Sequence, residues 1–590
     1  MFANYYIMSK VIKVNSARNI KNGVNAGKVQ PNLSKNKDEG VSRFIQKSPA
    51  LYITMFVIWS VLLIFLWRNF IFNIKYVPFL LQAQVTSSLF FWSRLLLVLN
   101  GIFISYFWLN GVKDFIYVIW YFAFRRKLLS QYNKVMSTSI NGAKDKVLLV
   151  YCTCNDFDGG SLKKCLNQDY KYTRFVILDD SNDVEYKMRI DAFSAKYGVK
   201  VVRRENRQGF KAGNINNYLM SKECELDGSF DYCVILDSDE IIPNNFVSEC
   251  LRYFYCDNKI GIVQASHIST RNRNFFMKLF HIGVNSHWPT YQTMKHFYGF
   301  STMLGHGAMI KRECYMSAGG FPNLVAEDLC LSIEARNKGY YVAFAPNIIC
   351  EEEYPVDYVA FKKRHSKWTQ GNLEFIKSYT SKIISSPMTF FEKWDIVLFT
   401  YNLPLTAIFG FYIFVNLLIM PSLMINLSAI YQMWMIVPTI IFFFSPMLND
   451  VFTWMFKINF FRFLLYFFMV IVLYGSMLTT SLISAILGIF GKKAKFIVTP
   501  KTSQKISLFF ALRFQIKEII LSTILLVLAL LVPKSVMPVI LIIATGYLSI
   551  ILLFFANKTY SLEEMKKIDK NTSNLSISEN KSFLAPVKVS

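Results

Sequence analysis

The stretch Val234-Ile235-Leu236-Asp237-Ser238-Asp239 decides the fold, because it is an apolar strand that ends in two carboxylates one residue apart. Side chains at positions i and i+2 of a strand point to the same side. Asp237 and Asp239 are therefore predicted to face one hard divalent cation together. The alternative interpretation is an acidic turn at the end of a strand, which is common in proteins.

Short apolar segments before this stretch predict a mostly parallel sheet. They cover residues 147–152, 175–178, 199–202 and 233–236, and helix-like segments separate them. This alternation is typical of a Rossmann-like α/β domain, which binds its ligand at the carboxyl ends of the strands. Those ends carry Asn155-Asp156, Asp179-Asp180 and Asp237-Ser238-Asp239, so we expect these acidic groups to line one site.

The composition is that of a membrane protein. Hydrophobic residues make up 53% of the 590, and the mean hydropathy is +0.30. The net charge of +26 fits basic flanks of membrane spans and contact with anionic membrane lipids. Nucleic acid is not expected as a partner, because aromatic and Leu-rich spans dominate the chain. All 10 cysteines fall between Cys152 and Cys350 without zinc-site spacing, which favours thiols in a reducing cytosol.

The hydropathy pattern divides the chain into segments, and no cleavable signal peptide is visible. We predict a basic disordered cytoplasmic N-terminus (1–49), two spans (50–127), a cytoplasmic α/β domain (140–374), an interfacial amphipathic helix (375–395), a transmembrane region (396–490), a loop (491–510), two further spans (511–556) and a disordered tail (557–590).

A second acidic pair lies in Ala326-Glu327-Asp328-Leu329, at the predicted start of a helix. Carboxylates at a helix start can simply complement the helix dipole. In a cleft that also holds a diphosphate, however, a carboxylate is a natural general base for a hydroxyl group.

A third cluster is Arg364-His365-Ser366-Lys367-Trp368. It offers cations that can bind phosphate groups and an aromatic ring on which a sugar ring can stack. The alternative interpretation is a solvated basic surface next to the membrane. His267, His281, His287 and His296 are expected to be ordinary core or surface residues, because no ligand spacing links them.

Together these motifs resemble the processive membrane-integrated family-2 glycosyltransferases, the group of cellulose, hyaluronan, chitin and curdlan synthases. That family carries two Asp motifs, an Asp-x-Asp, a Thr/Ala-Glu-Asp and a Gln-x-x-Arg-Trp in this order. Lys211-Ala212-Gly213-Asn214 is similar to a further family element beside the donor, and Phe496-Ile497-Val498-Thr499-Pro500-Lys501 resembles the gating loop of cellulose synthases.

Two departures from the family pattern bear on the product. Arg364 stands where the family has Gln, and Lys367 stands where it has Arg. Either Lys367 contacts the phosphate with a single ammonium group, or Arg364 makes the bidentate phosphate contact instead. Thr369-Gln370-Gly371-Asn372 is similar to membrane glucosyltransferases that make periplasmic glucans. Both departures weaken cellulose as the expected product.

The resemblance implies a GT-A-type domain between membrane helices and an inverting transfer of a hexose, with UDP-glucose as the expected donor, to a growing polysaccharide. Asp237 and Asp239 would hold Mg²⁺ or Mn²⁺, and Asp328 would be the catalytic base. Donor-binding and acceptor-binding roles fall to the remaining motif residues: Asp156, Asp179, Asp180, Asp237, Lys211, Arg364, Lys367, Thr499 and Lys501 for the nucleotide sugar, and Trp368, Glu327 and His306 for the acceptor.

The gating loop must share the cytoplasmic side with Trp368, so an even number of crossings separates them. We therefore expect the segment 460–490, which Gly, Ser and Thr interrupt, to lie along the interface or to re-enter. This gives about six crossings in a plasma membrane, the bacterial inner membrane, with both termini inside. The short tail leaves no room for a cyclic-dinucleotide receptor domain, so any regulatory or export subunit is expected to be a separate chain.

Two other functions fit parts of the pattern. A non-processive glycosyltransferase with a lipid-linked acceptor would share the Asp motifs, but it would normally lack the Trp motif and the gating loop. A non-catalytic membrane scaffold that binds nucleotide is the second alternative, and the complete acidic set argues against it.

Overall fold

The computed structural model describes residues 47–75, 87–269, 274–423, 425, 430–491, 506–531 and 537–557. The predicted gating loop with Thr499 and Lys501 lies outside the described residues, as do the two predicted disordered tails apart from residues 47–49 and 557.

A seven-stranded mixed sheet with the strand order β3-β2-β1-β4-β6-β5-β7 forms the centre of the domain. The strands are β1 Val147–Thr153, β2 Thr173–Asp179, β3 Lys200–Val202, β4 Tyr232–Leu236, β5 Ile260–Ser269, β6 Ala308–Lys311 and β7 Tyr341–Glu352. The first four are parallel to one another, and β6 runs antiparallel between β4 and β5. The predicted Rossmann-like α/β domain is confirmed, and all four predicted strands are present.

Both faces of the sheet are covered, which explains the continuous apolar runs in the sequence. Leu149 and Tyr151 of β1 belong to one buried cluster, whereas Leu148 and Val150 belong to the cluster on the opposite face. The helices of the domain are α3 Asn133–Met136, α4 Gly159–Cys165, α5 Val184–Tyr197, α6 Phe210–Leu219, α7 Lys222–Leu226, α8 Phe246–Cys256, α9 Phe275–His287, α10 Thr293–Phe297, α11 Arg312–Ala318, α12 Glu327–Asn337 and α13 Tyr358–Ser385, with a π-helix at Trp288–Gln292.

Helices that are mostly apolar, some long and some short, flank the domain on both sides. They are α1 Ala50–Lys75, α2 Ser87–Ser130, α14 Phe390–Thr400, α15 Thr406–Phe414, α16 Met420–Ser422, α17 Ile436–Trp454, α18 Phe460–Ile489, α19 Leu508–Phe514, α20 Ile516–Leu531 and α21 Met537–Ala556, with a π-helix at Val415–Ile419 and a 3₁₀-helix at Met433–Met435. Among the described residues five helices are long and apolar enough to cross a membrane, or six if the bent pair α19 and α20 is one span. The apolar helices expected on both sides of the domain are therefore present.

The segment 460–490 was expected either to lie along the membrane interface or to re-enter the membrane, and the structure contradicts the second alternative. It contains α18, one unbroken helix of 30 residues that is long and apolar enough to cross a membrane. A re-entrant segment must reverse its direction, so the re-entrant alternative is wrong, while the interfacial position stays a prediction. The Gly, Ser and Thr residues do not break the helix. Small residues let neighbouring helices pack closely, and a Cβ on Gly475 would lie only 2.6 Å from Oγ1 of Thr545 on α21.

Two predicted segment boundaries near residue 400 also differ from the helix boundaries in the structure. The segment 375–395 is not a separate helix, because α13 begins at Tyr358 and carries the Trp368 motif in the same helix. The predicted transmembrane region 396–490 begins within α14, and its first helical stretch is broken after Thr400 and resumes at Thr406. Pro404 lies in this break, and proline cannot donate the backbone hydrogen bond that a continuous helix needs.

A buried carboxylate joins the flanking helices to the domain. Asp395 of α14 is fully buried and accepts hydrogen bonds from the hydroxyls of Tyr52 on α1 (2.5 Å) and Tyr117 on α2 (2.8 Å). It also accepts from Nζ of Lys295 on α10 (2.9 Å) and from the backbone N–H of Phe300 (2.8 Å). Four separate parts of the chain therefore meet at one charged group.

We predict that Asp395→Asn lowers the free energy of unfolding by about 3–5 kcal/mol, because it leaves the buried Lys295 ammonium without its counter-charge. Thermal unfolding of the detergent-purified protein measures the change. Asp191→Asn is the matched control, since the Asp191 side chain is 57% exposed beside Arg203. Equal unfolding temperatures for Asp395→Asn and the wild type would show that this junction does not hold the helices to the domain.

Candidate active site

One cavity of about 1520 Å³ starts at the carboxyl ends of the parallel strands and extends between the flanking helices. Most of the predicted site residues line it: Asp156, Asp180, Lys211, Asp237, Asp239, His306, Glu327, Asp328, Arg364, Lys367 and Trp368. The structure therefore brings together groups that lie more than 200 positions apart in the sequence.

The strand ends of β1 and β2 form one end of the cavity. The Asp156 carboxylate accepts hydrogen bonds from Oγ1 of Thr153 (2.9 Å), the backbone N–H of Cys154 (2.8 Å) and Oγ of Ser238 (2.7 Å). These contacts fix the Asp156 side chain between the ends of β1 and β4.

Asp179 and Asp180 have different surroundings. Asp179 is not among the residues lining the cavity, and its fully buried carboxylate pairs with Nε of Arg203 at 2.6 Å. Asp180 lines the cavity and receives two bonds from Arg204, Nε to Oδ1 at 2.9 Å and Nη2 to Oδ2 at 2.7 Å. The sequence left both residues open for nucleotide contact, and the geometry brings Asp180 rather than Asp179 to the cavity.

Arg204 also shapes the loop that leads into α6. It donates to the backbone carbonyls of Gln208 (2.7 Å) and Phe210 (2.8 Å). A Cβ at Gly213 would lie 2.1 Å from the Gln208 carbonyl oxygen, so only glycine allows this loop to pack on the helix. This contact explains the glycine in Lys211-Ala212-Gly213-Asn214.

The carboxylates after β4 lie beside a buried cation. Nζ of Lys211 donates to Oδ1 of Asp237 (2.5 Å) and to the carbonyl of Gly305 (2.7 Å). Burial opposes the charge on Lys211, but the Asp237 carboxylate raises the pKa of its ammonium above the ordinary value. Asp239 accepts from the backbone N–H of Glu353 at 3.0 Å. The carboxylates of Asp237 and Asp239 both line the cavity and are hard oxygen ligands, so they fit a divalent cation.

Glu327 and Asp328 open helix α12 at the cavity wall. Burial and then the neighbouring Asp328 carboxylate raise the pKa of Glu327 to about 7. Burial also raises the pKa of Asp328, against the opposing effects of the Leu329 backbone N–H and of Lys211. A carboxylate with a raised pKa accepts a proton more readily near neutral pH, as a general base requires.

Helix α13 presents Arg364, Lys367 and Trp368 on one face, because residues three and four positions apart are neighbours on a helix. The Arg364 guanidinium stacks on the Trp368 ring at 4.2 Å, and the Trp368 side chain is 44% exposed. Burial lowers the pKa of Lys367, which the Glu327 and Asp237 carboxylates oppose. Cations and an exposed aromatic ring therefore border the cavity opposite the strand ends.

A group of charged residues lies next to Asp237, and the sequence predicted only its member His306 as a site residue. His267 is fully buried, as expected of a core residue, but it lies between Glu240 and Glu352 and next to His306. No regular spacing connects these residues, because β5, the loop before β6 and the end of β7 bring them together. The only signal in the sequence is the run of acids at Glu351-Glu352-Glu353 after an apolar strand.

The comparisons with known proteins agree on one class of enzyme. The family model described as glycosyl transferase family group 2 matches residues 232–556, just over half of the chain. Probable glucomannan 4-beta-mannosyltransferase 10 of Arabidopsis thaliana is 24% identical over 233 residues, which are 38% of this chain and 41% of that protein. Glucomannan 4-beta-mannosyltransferase 1 of Cyamopsis tetragonoloba is 24% identical over 221 residues, which are 36% and 41% of the two chains. The chain thus spans about two fifths of the length of these curated relatives.

Two solved structures are among those similar to parts of the chain. The mannosyltransferase PcManGT from Pyrobaculum calidifontis in complex with GDP-Man and Mn²⁺ is 16% identical, with a TM-score of 0.36 over 66% of this chain and 100% of that one. TarS of S. aureus in complex with UDP-GlcNAc is 13% identical, with a TM-score of 0.31 over 52% and 91% of the two chains.

We predict that Arg204→Lys loosens the loop before α6, because lysine cannot hold both Asp180 oxygens and two carbonyls at once. Backbone hydrogen exchange of residues 205–213 should become faster by about 5- to 150-fold, corresponding to the loss of about 1–3 kcal/mol. Arg203→Lys is the matched control, since Arg203 pairs with Asp179 and Asp191. Unchanged exchange in Arg204→Lys would contradict this role.

Proposed function

The chain belongs to glycosyl transferase family group 2, and from this premise we propose that it is a processive synthase that builds a β-linked hexose polymer and exports it across the plasma membrane. As a family-2 enzyme it is an inverting glycosyltransferase that acts on nucleotide sugars. Processivity, the identity of the sugar and the coupling to export are the proposed parts.

The observation that carries the proposal is the continuity of the cavity. It runs from Asp180 and Asp237 past Asp328 and Trp368, and then between the flanking helices. There its lining includes Tyr106 and Phe107 of α2, Phe442 and Asp450 of α17, Tyr474 of α18 and Thr545 of α21. A polymer that grows at Trp368 would have a path among these helices, with aromatic and polar groups for its sugar rings.

The donor half of the site binds the nucleoside, the phosphates and the metal ion with different residues. Asp156 and Asp180 bind the nucleoside, and Lys211, Arg364 and Lys367 bind the phosphates. Asp237 and Asp239 would hold Mg²⁺ or Mn²⁺, which when bound offsets the charge of the diphosphate.

The acceptor half of the site lies beside α12 and α13. Trp368 stacks on the acceptor sugar, and Glu327 and His306 line its pocket. Asp328 takes the proton from the acceptor hydroxyl as that oxygen attacks the anomeric carbon from the face opposite the leaving diphosphate, which inverts the configuration. Thr499 and Lys501 of the gating loop are proposed to cover the donor.

We propose UDP-glucose as the donor, and a nucleotide-activated mannose is the second donor to test because the curated relatives are named as mannosyltransferases. The experiment is to incubate purified protein with radiolabelled UDP-glucose, GDP-mannose and other nucleotide sugars and to analyse the linkages of the product. Label in a long β-linked polymer supports the proposal. Label only in a lipid fraction identifies the non-processive alternative, and no release of nucleoside diphosphate from any donor identifies a scaffold.

We predict that Asp328→Asn lowers kcat by about 10²- to 10⁴-fold and leaves the Kd of the donor nucleotide nearly unchanged, because it removes the base but not the donor contacts. Steady-state rates and nucleotide titration measure the two values. Glu334→Gln, on the same helix but paired with Lys382, is the control and should keep normal kcat. Normal turnover by Asp328→Asn would exclude Asp328 as the base.

We predict that kcat/KM falls as the pH drops, because the base acts only when it is ionised. Burial raises the pKa of Asp328, so the fall should occur at a higher pH than the ordinary pKa of an aspartic acid. Glu327 has a pKa of about 7 and is therefore mostly protonated at lower pH, so Glu327→Gln should leave this limb in place. A pH–rate profile between about pH 5 and pH 8 for both proteins measures the position of the limb. A limb that moves in Glu327→Gln would show that Glu327, and not Asp328, sets it.

A further inference from the structure

Two histidines lie between two glutamates directly behind the Asp237 carboxylate. His267 comes from β5, His306 from the loop before β6, Glu352 from the end of β7 and Glu240 from the loop after β4. The exposed fractions of the His267 and Glu240 side chains are 0%, and those of His306 and Glu352 are 14% and 11%. Of this group only His306 has a place in the proposed function, in the acceptor pocket, and His267, Glu240 and Glu352 have none.

Each imidazole presents one ring nitrogen to Glu352 and the other to Glu240. On the Glu352 side, Nδ1 of His267 is 3.4 Å from Oε1 and Nε2 of His306 is 3.1 Å from Oε2. On the Glu240 side, Nε2 of His267 is 3.8 Å from Oε1 and Nδ1 of His306 is 3.3 Å from Oε2. The Trp288 ring stacks on His267 at 4.5 Å and holds its orientation.

Several atoms of this group make no hydrogen bond with the rest of the described chain. They are Nδ1 of His267, Nδ1 of His306 and Oε1 of Glu240, and all three are buried. An unpaired buried polar atom costs about 1–3 kcal/mol, and the one that faces Glu352, Nδ1 of His267, would be satisfied by an ion bound between the imidazoles and Glu352.

We propose that His267, His306 and Glu352 bind a divalent transition metal, with Zn²⁺ as the best match, and that this site is separate from the donor cation at Asp237 and Asp239. One donor atom from each of the three residues lies within 4.8 Å of the other two. A tetrahedral zinc with ligands at about 2.0–2.1 Å needs its ligand atoms about 3.3 Å apart. Nδ1 of His267 lies 3.4 Å from Oε1 of Glu352 and Nε2 of His306 lies 3.1 Å from Oε2, so either carboxylate oxygen can serve an ion held between the two imidazoles.

Glu240 completes the site from the opposite side. Histidines that bind a metal usually donate their second ring N–H to a carboxylate, which fixes the tautomer and the ring orientation. Glu240 faces that second nitrogen in both rings. Imidazole ligands favour zinc, whereas carboxylate ligands alone favour Mg²⁺ or Mn²⁺, so the two neighbouring sites would select different metals.

The zinc site would open toward the substrate. His306 and Glu352 both line the cavity, and Nε2 of His306 is 3.9 Å from Oδ2 of Asp237. Three protein ligands leave a fourth position of a tetrahedral zinc for water or a substrate oxygen. A cation there would offset the negative charge of the neighbouring Asp237 carboxylate even before nucleotide binds.

The test is the metal content of the detergent-purified protein, prepared with a tag that contains no histidine. After treatment with EDTA, the protein is titrated with Zn²⁺ alone and analysed by plasma mass spectrometry. We expect one equivalent of Zn²⁺ in the wild type and also in Asp239→Asn, which lacks a ligand of the proposed donor site. This readout needs neither nucleotide nor turnover, so it is independent of the proposed function.

Variants of the ligands make the test specific. His267→Asn and Glu352→Gln should each bind Zn²⁺ at least 10-fold more weakly, as expected for loss of a ligand. Glu351→Gln is the matched control, because neighbouring residues of a strand point to opposite faces, and it should bind Zn²⁺ like the wild type. Size-exclusion chromatography shows whether each variant is folded, and if His267→Asn is not, Glu352→Gln and the wild type decide the outcome.

No bound zinc in the wild type, or equal zinc binding by the wild type, His267→Asn and Glu352→Gln, would overturn the proposal. The group would then be a buried ion-pair network in which a protonated His306 lies between the Glu240 and Glu352 carboxylates.

Discussion

Lys211 places a buried ammonium between the Asp237 carboxylate and the Gly305 carbonyl, and the geometry of the site depends on this contact. It links the start of α6, the end of β4 and the loop before β6. Three carboxylates, Asp237, Glu327 and Asp328, lie around this cation, and their mutual repulsion would otherwise favour protonation. The site can therefore keep acidic groups for metal binding and proton transfer close together.

Helix α13 connects this chemistry to the membrane part of the chain. Its cavity face carries Arg364, Lys367 and Trp368, while its other side bonds to small polar residues of α18. His365 meets Ser481 at 2.6 Å, and Ser366 meets Ser484 at 2.8 Å. A displacement of α18 would therefore be transmitted to the helix that carries the acceptor-binding Trp368.

Much of the fold could be predicted from the sequence, because the strands are buried on both faces and end in acidic residues. The apolar runs and the order of the motifs were enough to identify Asp237, Asp239 and Asp328 as one constellation. The roles of Asp179 and Asp180 could not be separated, since they are adjacent and only the side-chain contacts with Arg203 and Arg204 distinguish them. His267, Glu240 and Glu352 were missed for a similar reason: together with the predicted His306 they come from four separate elements and share no spacing. The unbroken α18 was also unexpected, because Gly475 and its Ser and Thr neighbours break a hydropathy pattern without breaking a helix.

The most direct measurement of the central claim is a cryo-electron microscopy structure of the purified protein with a nucleoside diphosphate and Mg²⁺ or Mn²⁺. The account predicts density for the nucleoside beside Asp156 and Asp180, for the diphosphate between Lys211 and the Asp237–Asp239 pair, and an open path from Trp368 into the flanking helices. A nucleotide bound elsewhere on the domain, or a site separated from the helix bundle by a closed wall in the nucleotide-bound protein, would contradict it.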